Sequence, residues 1–376
     1  MLPLAPFKLE RYFARYEFTT RCLISASDCE SMRLPELLEM ADADGRRRWE
    51  ALWLGYTESQ GDPALRAAIV AQYTALAPDD ILTLAPEEGI LIAMHASLRA
   101  GDHVVVMQPA YQSLSEVARA LGCQVTAWPV RPDASGAAWR LDVDELAGLL
   151  RPETRLLVIN FPHNPTGYLP PRADLQAILA LADRRGLVVF SDEMYRYLEA
   201  SPGERLPPVC DLYERGISLS GLSKAYGLPG LRLGWLATRL PGFIERCLML
   251  KDYTTICSSA PSEVLGLIAV RAADRITARN RAIIISNLTL ADEFFRRWPA
   301  QFEWPPPMAG PIAFPAWRGP GGVDGLCQAA LEQEALMVVP AAMFDYAGER
   351  FRLGLGRRNF PDALARLEAV VARLCA

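Results

Sequence analysis

The sequence predicts an α/β protein: a mostly parallel sheet with helices on both faces, plus a smaller α+β domain built from the two chain ends. Between residues 81 and 238, strand-sized runs of Val, Ile and Leu alternate with amphipathic helical stretches. This pattern is typical of a parallel sheet that is buried on both sides. From about residue 270 it gives way to a long helical stretch, short strands and a final helix. For a chain of 376 residues we expect two domains, residues 41–269 and residues 1–40 together with 270–376.

Seven strand-sized runs are expected to form most of the sheet: ILTL (81–84), HVVVM (103–107), QVTAWPV (124–130), RLLVIN (155–160), LVVFSDE (187–193), GISLSGLS (216–223) and LRLGWLAT (231–238). Helical stretches such as EEGILIAMHASLRA and RADLQAILALADRRG separate most of them, as the crossovers between parallel strands require. Three stretches rich in Gly and Pro are predicted to be exposed loops, namely residues 131–140, 201–208 and 318–325.

Composition and motifs exclude several classes of protein. The net charge of −5 is made of both signs spread along the chain, so no basic tract marks a nucleic-acid or membrane surface. Apolar runs are too short to cross a bilayer, and the first residues do not resemble a signal peptide. Eight scattered cysteines without a Cys-x-x-Cys pair predict reduced thiols in a cytoplasmic protein and no metal site. The G-x-S-x-G and G-x-G-x-x-G motifs of hydrolases and dinucleotide-binding enzymes are missing.

Polar residues stand at the ends of three successive strands of the predicted sheet. Asn164 follows the run 155–160, Asp192 and Tyr195 follow the next, and Lys224 follows the third. Because ligands bind beyond the carboxyl ends of parallel strands, these side chains are expected to meet. The chain has only three lysines beside 36 arginines, so the lysine at position 224 indicates a need for an amine and not only for positive charge.

The chemistry that fits this set is that of pyridoxal phosphate. A partly desolvated lysine amine can lose its proton near neutral pH and attack a carbonyl, and the aldehyde of pyridoxal phosphate suits it best. Lys224 is therefore expected to form a Schiff base with this cofactor. Asp192 would pair with the pyridine nitrogen and keep it protonated, and Asn164 and Tyr195 would hold the ring oxygen.

Further residues are expected to hold the rest of the cofactor. Its phosphate needs a cation, hydroxyls and free backbone N–H groups, and Ser223 and Arg232 flank Lys224 for this task. Tyr111, after the strand 103–107, is expected to stack on the ring.

The chain resembles the class I and II aminotransferases, the fold-type-I family of enzymes that depend on pyridoxal phosphate. The resemblance rests on five segments in order: GYTESQGDPALRAAI (55–69), HNPTG (163–167), SDEMY (191–195), SKAYGLPGLRLGW (223–235) and FRLGLGRRNF (351–360). It implies the cofactor roles given above. It also implies a homodimer in which Tyr56 reaches the phosphate of the neighbouring subunit, and that Arg352, with Asn164, binds the substrate carboxylate.

Two departures from the family concern the phosphate. The loop after the strand 81–84 is glycine-rich in the family, whereas here Pro86 removes a backbone donor and Glu87 adds an acid. Pro86 and Glu87 are nevertheless expected at the cofactor, with Glu87 either displaced or turned away. The family also often has Ser or Thr three residues before the lysine, where this chain has Gly221, so Ser220 or Ser223 would contribute more.

The resemblance implies an aminotransferase that acts on an amino acid and a keto acid. Lys224, once released by substrate, would take the Cα proton and return it to the cofactor, acting as base and then as acid. The alternative is another reaction with the same cofactor, by a β-eliminating carbon–sulfur lyase or a cyclising enzyme. The stretches YQS (111–113) and KDYTTICSSAPSE (251–263) are similar to capreomycidine synthase, a family member that cyclises an arginine derivative.

Several assignments stay open at this point. The arginine that binds substrate could be Arg350, Arg357 or Arg358 instead of Arg352, although the alternation in FRLGLG favours Arg352. His163 is expected to support the Asn164 loop and not to act on substrate. The aromatic residues near the amino end are expected in the core of the small domain or in a lid over the substrate. A third class is a regulator that binds the cofactor without catalysis. It is disfavoured, because the sequence shows neither the basic patch nor the extra domain of such a protein.

Overall fold

The computed structural model describes residues 3–376. Numbered in chain order, its α-helices are α1 (Lys8–Tyr16), α2 (Leu34–Leu38), α3 (Ala43–Glu50), α4 (Pro63–Val70), α5 (Pro86–Ser97), α6 (Ser113–Ala120), α7 (Val143–Leu149), α8 (Arg172–Arg184), α9 (Val209–Leu212), α10 (Phe243–Lys251), α11 (Ala260–Arg271), α12 (Ala273–Arg297), α13 (Gly322–Glu334) and α14 (Phe360–Cys375). The strands are β1 (Cys22–Leu23), β2 (Ile81–Leu84), β3 (His103–Gln108), β4 (Gln124–Pro132), β5 (Trp139–Leu141), β6 (Thr154–Asn160), β7 (Val188–Asp192), β8 (Gly216–Gly221), β9 (Gly234–Thr238), β10 (Phe302–Glu303), β11 (Ile312–Ala313), β12 (Ala316–Trp317), β13 (Leu336–Met337), β14 (Val339–Pro340) and β15 (Phe351–Gly354).

Eight strands form the central sheet in the spatial order β2-β9-β8-β7-β6-β3-β4-β5. The five strands β8, β7, β6, β3 and β4 are parallel, whereas β9 pairs antiparallel with β2 and β8, and β5 with β4. Alternate side chains face opposite sides: Val104 and Val106 join the core that includes α5 and α11, and Val105 and Met107 join the core that includes α7 and α8. Helices cover both faces of the sheet, and the predicted fold class is confirmed.

All seven predicted strands are present in this sheet, and six of them have shifted ends. The largest shift is at β9, which begins at Gly234 and not at residue 231. The preceding residues Pro229–Leu231 form a 3-10 turn that ends at Arg232 in a left-handed conformation, with φ of 49°. A non-glycine residue in that region is strained, and such strain concentrates at functional sites.

Two of the predicted loops are wrong in part. Residues 131–140 contain a hairpin, because β4 continues to Pro132 and β5 begins at Trp139, with a turn closed by a hydrogen bond from the N–H of Asp133 to the carbonyl of Ala138 (2.8 Å). Trp139 is buried between Phe314 and the guanidinium of Arg350, and this burial extends the strand pairing. In residues 318–325 the helix α13 already begins at Gly322. Residues 201–208 form a loop with one 3-10 turn, as predicted.

Outside the central sheet the strands are short. β11, β15 and β14 form an antiparallel sheet, β10 pairs with β12, and β1 pairs in parallel with β13. The last pairing brings the amino end of the chain to its carboxyl part. The division into residues 41–269, and 1–40 with 270–376, stays a prediction. Within residues 3–376, no helix is both long and apolar enough to cross a membrane.

Candidate active site

The carboxyl ends of β6, β7 and β8 open into a cavity of about 530 Å³. All the candidate site residues but one line it: Pro86, Glu87, Tyr111, Asn164, Asp192, Tyr195, Ser223, Lys224, Arg232 and Arg352. A larger open groove of about 910 Å³ includes Arg155, Val188 and Arg215 at the opposite ends of the same strands. That groove contains none of the candidate residues, so we place the chemistry in the smaller cavity.

Lys224 reaches into the cavity from the loop after β8. Its amine donates a hydrogen bond to the hydroxyl of Ser27, with Nζ and Oγ 2.9 Å apart. Burial lowers the pKa of Lys224; the nearby carboxylate of Asp28 opposes this shift and the guanidinium of Arg352 adds to it. A lowered pKa increases the share of neutral amine, the form that attacks a carbonyl or takes a proton.

Asp192, the last residue of β7, is a buried carboxylate at the cavity wall. Its Oδ1 accepts a hydrogen bond from the N–H of Met194 at 3.1 Å. Burial raises the pKa of Asp192 to about 6, and the bond from Met194 and the charge of Lys224 only partly offset this. The ionised carboxylate therefore lacks a close cationic partner from the protein, and a protonated ring nitrogen would supply one.

Tyr195 and Asn164 bring polar groups to the same cavity. Tyr195 is 2% exposed, and its hydroxyl is a buried oxygen without a hydrogen-bond partner among the described residues. A buried hydroxyl without a partner is costly, so this one is suited to a bound ligand. Asn164 is fixed by a bond from its N–H to Oδ1 of Asn160 (2.8 Å).

His163 holds the loop that carries Asn164. Its Nδ1 pairs with the hydroxyl of Thr166 at 2.6 Å and its Nε2 with the carbonyl of Pro109 at 2.7 Å. Burial lowers the pKa of His163 to about 3, so the ring is neutral at physiological pH. It lies outside the residues that line the cavity, which agrees with the predicted supporting role.

Arg352 is the arginine of its segment that is buried at the cavity wall. It is 1% exposed, its Nε donates to the carbonyl of Ser25 (3.0 Å), and its Nη1 lies 3.5 Å from Oδ1 of Asn164. Arg350 instead donates to the carbonyl of Phe314 and pairs with Glu303. Arg352 therefore keeps hydrogen-bonding capacity for a ligand, whereas Arg350 is used inside the protein.

Arg357 also lines the cavity but is paired with Asp28. Its Nε and Nη2 donate to the two carboxylate oxygens of Asp28 at 2.9 and 2.6 Å. This bidentate pair neutralises both charges at the wall. Arg357 is therefore a weaker candidate than Arg352 for holding a substrate carboxylate.

The first turn of α5 lies at the cavity where the phosphate of the cofactor is predicted to bind. Pro86 is the first residue of this helix, where the missing N–H costs no helical hydrogen bond. Its ring packs against two glycines: a Cβ atom added to Gly221 or Gly234 would lie 3.0 or 2.8 Å from Cγ of Pro86. Pro86 and Gly221 both depart from the family pattern, and they pack against each other. The two departures are therefore structurally linked.

Tyr111 lines the cavity together with residues of α1. Its hydroxyl donates to Oε1 of Glu10 at 2.8 Å, and its ring centroid lies 4.8 Å from that of Phe7. The amino end is fixed to the same region, because the N–H of Lys8 donates to Oε1 of Gln112 at 2.9 Å. The aromatic residues Phe7 and Phe13 line the cavity, which favours the lid over the core interpretation of this segment.

The sequence did not single out four cavity residues from the amino-terminal segment: Glu10, Glu17, Ser27 and Asp28. Glu10 and Glu17 are seven residues apart with Phe13 between them, a helical spacing that puts all three on one face. This spacing is the sequence signal that could have identified Glu10 and Glu17 as residues of the cavity. Nothing in the local sequence marks Ser27, whose place depends on packing against distant segments.

Tyr56 is the one candidate residue that lies away from the cavity. It is 85% exposed, beside the exposed Trp53 and Leu54. An exposed position is compatible with the role that the family resemblance implies, in which Tyr56 contacts the phosphate bound by the neighbouring subunit.

The residues of the cavity fit pyridoxal phosphate. A buried carboxylate without a close cation, Asp192, matches the pyridine nitrogen, and the unpartnered hydroxyl of Tyr195 matches the ring oxygen. The amine of Lys224 has a lowered pKa, as a group that reacts with an aldehyde requires.

The family model of the class I and II aminotransferases matches residues 35–362. The chain belongs to this family. Capreomycidine synthase of Streptomyces vinaceus is 34% identical over 94% of this chain and 89% of its own length. A PLP-dependent aminotransferase structure from Streptococcus suis 89-1591 covers 99% of both chains, with a TM-score of 0.91 and 26% identity. The structure of the PLP-dependent cyclase OrfR covers 98% of this chain and 97% of its own, with a TM-score of 0.89 and 30% identity.

These similarities confirm the family, the fold type and the cofactor that the sequence predicted. The chain is a pyridoxal-phosphate-dependent enzyme of the aminotransferase family. The roles of its individual site residues remain predictions, which the cavity geometry makes specific.

Proposed function

We propose that this aminotransferase moves the amino group of an α-amino acid with a cationic side chain to a keto acid. The observation that carries the proposal is the charge pattern of the cavity. Its wall contains one buried guanidinium, Arg352, and two carboxylates from α1 and the residue after it, Glu10 and Glu17. An α-amino acid with a basic side chain has the complementary charges.

Arg352 is the group best suited to the α-carboxylate of the substrate. A guanidinium binds a carboxylate through two parallel hydrogen bonds. The carbonyl of Ser25 fixes its Nε, and the amide of Asn164 lies beside its Nη1. The side chain is therefore oriented before substrate arrives, which reduces the entropy lost on binding.

Lys224 is the group best suited to move the proton at Cα. Burial favours its neutral form, and the hydroxyl of Ser27 accepts a hydrogen bond from its amine. When bound, pyridoxal phosphate supplies the aldehyde and the electron-withdrawing ring. Asp192 would hold the ring nitrogen protonated, and Tyr195 would donate to the ring oxygen, so the protein fixes the charge of the ring while Lys224 transfers the proton.

The two carboxylates of the lid supply the side-chain specificity. Asp28 is neutralised by Arg357, but Glu10 and Glu17 have no comparable partner among the described ion pairs. Burial and the charge of Asp28 raise the pKa of Glu17, and a substrate cation beside it would offset that cost. A neutral side chain would leave the acid unpaired.

Arginine and citrulline test this specificity, because they have nearly the same shape and differ in charge. With a keto acid as acceptor, we expect kcat/KM for arginine to exceed that for citrulline by at least about tenfold, the value of one modest charge-assisted hydrogen bond. Glu10→Gln and Glu17→Gln should reduce this ratio, while Glu36→Gln, at an exposed position on α2, should not. Equal rates for arginine and citrulline would contradict the proposal.

A second candidate is cyclisation of an arginine derivative. Its support is the similarity to capreomycidine synthase and to the cyclase OrfR, each over nearly the whole chain. The same cavity charges would suit it, because the substrate is again an α-amino acid with a basic side chain.

The need for an acceptor separates the two candidates. Transamination converts a keto acid into an amino acid, whereas cyclisation of an arginine with a hydroxyl on Cβ releases water and needs no keto acid. A β-eliminating lyase would release ammonia. We expect mass spectrometry to show acceptor-dependent amino-group exchange with arginine. With an arginine that carries a hydroxyl on Cβ as substrate, a product lighter by one water, formed without acceptor, would support the cyclase.

We also propose that the active enzyme is a homodimer with Tyr56 at the neighbouring site. The exposed Trp53, Leu54 and Tyr56 form an apolar surface, and the hydroxyl of Thr57 ties this loop to the carbonyl of Ser258 (3.1 Å). Exposed apolar patches of this kind are typical of subunit contacts.

Subunit complementation tests the shared site. Lys224→Ala and Tyr56→Ala should each have little activity alone. Mixed subunits should regain it, because one site of the heterodimer then has both native residues. Mixtures without gain would contradict the role of Tyr56.

We place the enzyme in the cytoplasm, as the cysteines predict. All eight are free thiols, and six of them are buried. Retention of activity in strongly reducing buffer, with unchanged thermal stability, would support this placement.

A further inference from the structure

Two neighbouring glutamates in the first turn of α5 point in different directions. Glu87 lines the cavity and accepts a hydrogen bond from the hydroxyl of Ser113, at 3.3 Å from its Oε2. Glu88 turns away from it: its Oε2 accepts from the N–H of Ala85 at 3.4 Å and its Oε1 from the hydroxyl of Thr255 at 2.8 Å. Of the two acids, only Glu87 faces the proposed cofactor.

The same turn is where the phosphate of the cofactor is expected. The N–H groups of the first residues of a helix have no helical partner, and they attract anions. Ser223 and Arg232 lie on the wall of the same cavity. An ionised Glu87 would therefore stand close to a phosphate dianion, and two like charges at such a site are unfavourable.

The surroundings of Glu87 favour its neutral form. The pKa of Glu87 is raised to about 7, chiefly by burial; the charges of Glu10 and Asp192 contribute to the rise, and the bond from Ser113 and the charge of Arg232 oppose it. The other titratable and charged groups that line the cavity are Glu10, Glu17, Asp28, Tyr111, Asp192, Tyr195, Lys224, Arg232, Arg352 and Arg357. Acids and bases both line this cavity, and the acids Glu10 and Asp192 counteract Arg232, so the protein itself gives little reason for ionisation.

We propose that Glu87 binds the phosphate of pyridoxal phosphate as a neutral carboxylic acid that donates its proton to a phosphate oxygen. The proposal rests on the position of the cofactor in the proposed function. Glu87 departs from the glycine-rich loop of the family, and in this role it supplies a hydrogen-bond donor. That donor replaces the side-chain hydroxyl missing at Gly221. It also makes cofactor affinity depend on pH, because ionisation of Glu87 removes the donor and adds repulsion.

The test measures the affinity of the full-length, cofactor-free protein for 4′-deoxypyridoxine 5′-phosphate by calorimetry between pH 7 and pH 9. This probe keeps the phosphate and lacks the aldehyde, so no covalent link to Lys224 affects the result. Its phosphate is a dianion over this range, because the second pKa of a phosphate monoester is about 6. We expect the native Kd to rise about tenfold over the range, within the limit of tenfold per pH unit set by one linked proton.

Glu87→Gln keeps a hydrogen-bond donor and removes the titration, so its Kd should match the native value at pH 7 and stay within about twofold of that value at pH 9. Glu88→Gln is the matched control and should follow the native curve. Identical curves for native protein and Glu87→Gln would overturn the proposal, as would weak binding of Glu87→Gln at pH 7. Loss of binding in all three proteins at every pH would instead contradict the cavity as the cofactor site.

Discussion

The amine of Lys224 and the hydroxyl of Ser27 form a 2.9 Å hydrogen bond between the end of the central sheet and the amino-terminal segment. Ser27 is held near Arg357 by its neighbour Asp28. The bond positions the amine that we assign to proton transfer, and it depends on a residue from outside the central sheet. Removal of the hydroxyl should therefore affect the chemistry more than the fold.

Ser27→Ala should lower kcat by about three- to tenfold, the value of one hydrogen bond of 0.5–1.5 kcal/mol. The acid limb of the pH–rate profile should also move to lower pH, because the neutral amine is the reactive form and loss of the accepting hydroxyl disfavours the protonated amine. Ser31→Ala, at an exposed position, serves as control. An unchanged pH profile in Ser27→Ala would show that the contact has no catalytic consequence.

Arg352→Ala should weaken the binding of arginine by about 2–5 kcal/mol, because the substrate carboxylate loses the buried guanidinium that binds it through two hydrogen bonds. Agmatine lacks the carboxylate and should bind equally to native and variant proteins. Arg352→Lys should restore binding only in part, since an ammonium makes no fork.

Arg350→Lys is the matched control, because Arg350 is paired with Glu303 inside the protein. It should lower stability and leave KM unchanged. Equal losses for agmatine and arginine in Arg352→Ala would make Arg352 structural.

His163 should make the cofactor-free protein less stable in acid. Its pKa is lowered to about 3 by burial, below the unfolded value of about 6.5. The stability it contributes is thus fully present above pH 6.5 and is lost as pH falls toward 3, by at most about 1.4 kcal/mol per pH unit. Urea titrations at pH 7.5 and 5.5 should show a smaller drop in His163→Gln than in native protein; equal drops would contradict the neutral, buried ring.

Gly221→Ala should destabilise the protein by about 1–3 kcal/mol, the usual cost of overpacking. The new Cβ would lie 2.9 Å from Cα of Gly234 and 3.0 Å from Cγ of Pro86. Gly230→Ala is the control, because its Cβ would meet no atom within 4 Å. Thermal denaturation should separate the two variants, and similar melting temperatures would contradict the tight packing of Pro86.

The parts of the site that follow apolar strands could be predicted from the sequence. Asp192 is the last residue of a buried strand, Asn164 and Lys224 lie in the loops after two others, and parallel strands bring their ends together. Arg352 was implied by the family resemblance, and the two-residue alternation of its strand favoured it among the neighbouring arginines. In each case a local pattern determines where the side chain lies.

The parts that depend on distant packing could not be predicted. Ser27 reaches Lys224 because the segment around it pairs with β15, through a bond from the N–H of Gly354 to the carbonyl of Ile24. Residues 131–140 have the Gly and Ser of a loop, but burial of Trp139 makes part of them a strand. The link between Pro86 and Gly221 joins two segments that are far apart in sequence.

The most direct test of the account asks which lysine binds the cofactor. With only Lys8, Lys224 and Lys251 in the chain, peptide mapping after borohydride reduction gives an unambiguous answer. We expect one pyridoxyl group per chain on the peptide that contains Lys224, and neither label nor measurable turnover in Lys224→Ala, while Lys8→Arg keeps both. Label on Lys251 or Lys8, or full activity of Lys224→Ala, would contradict the account.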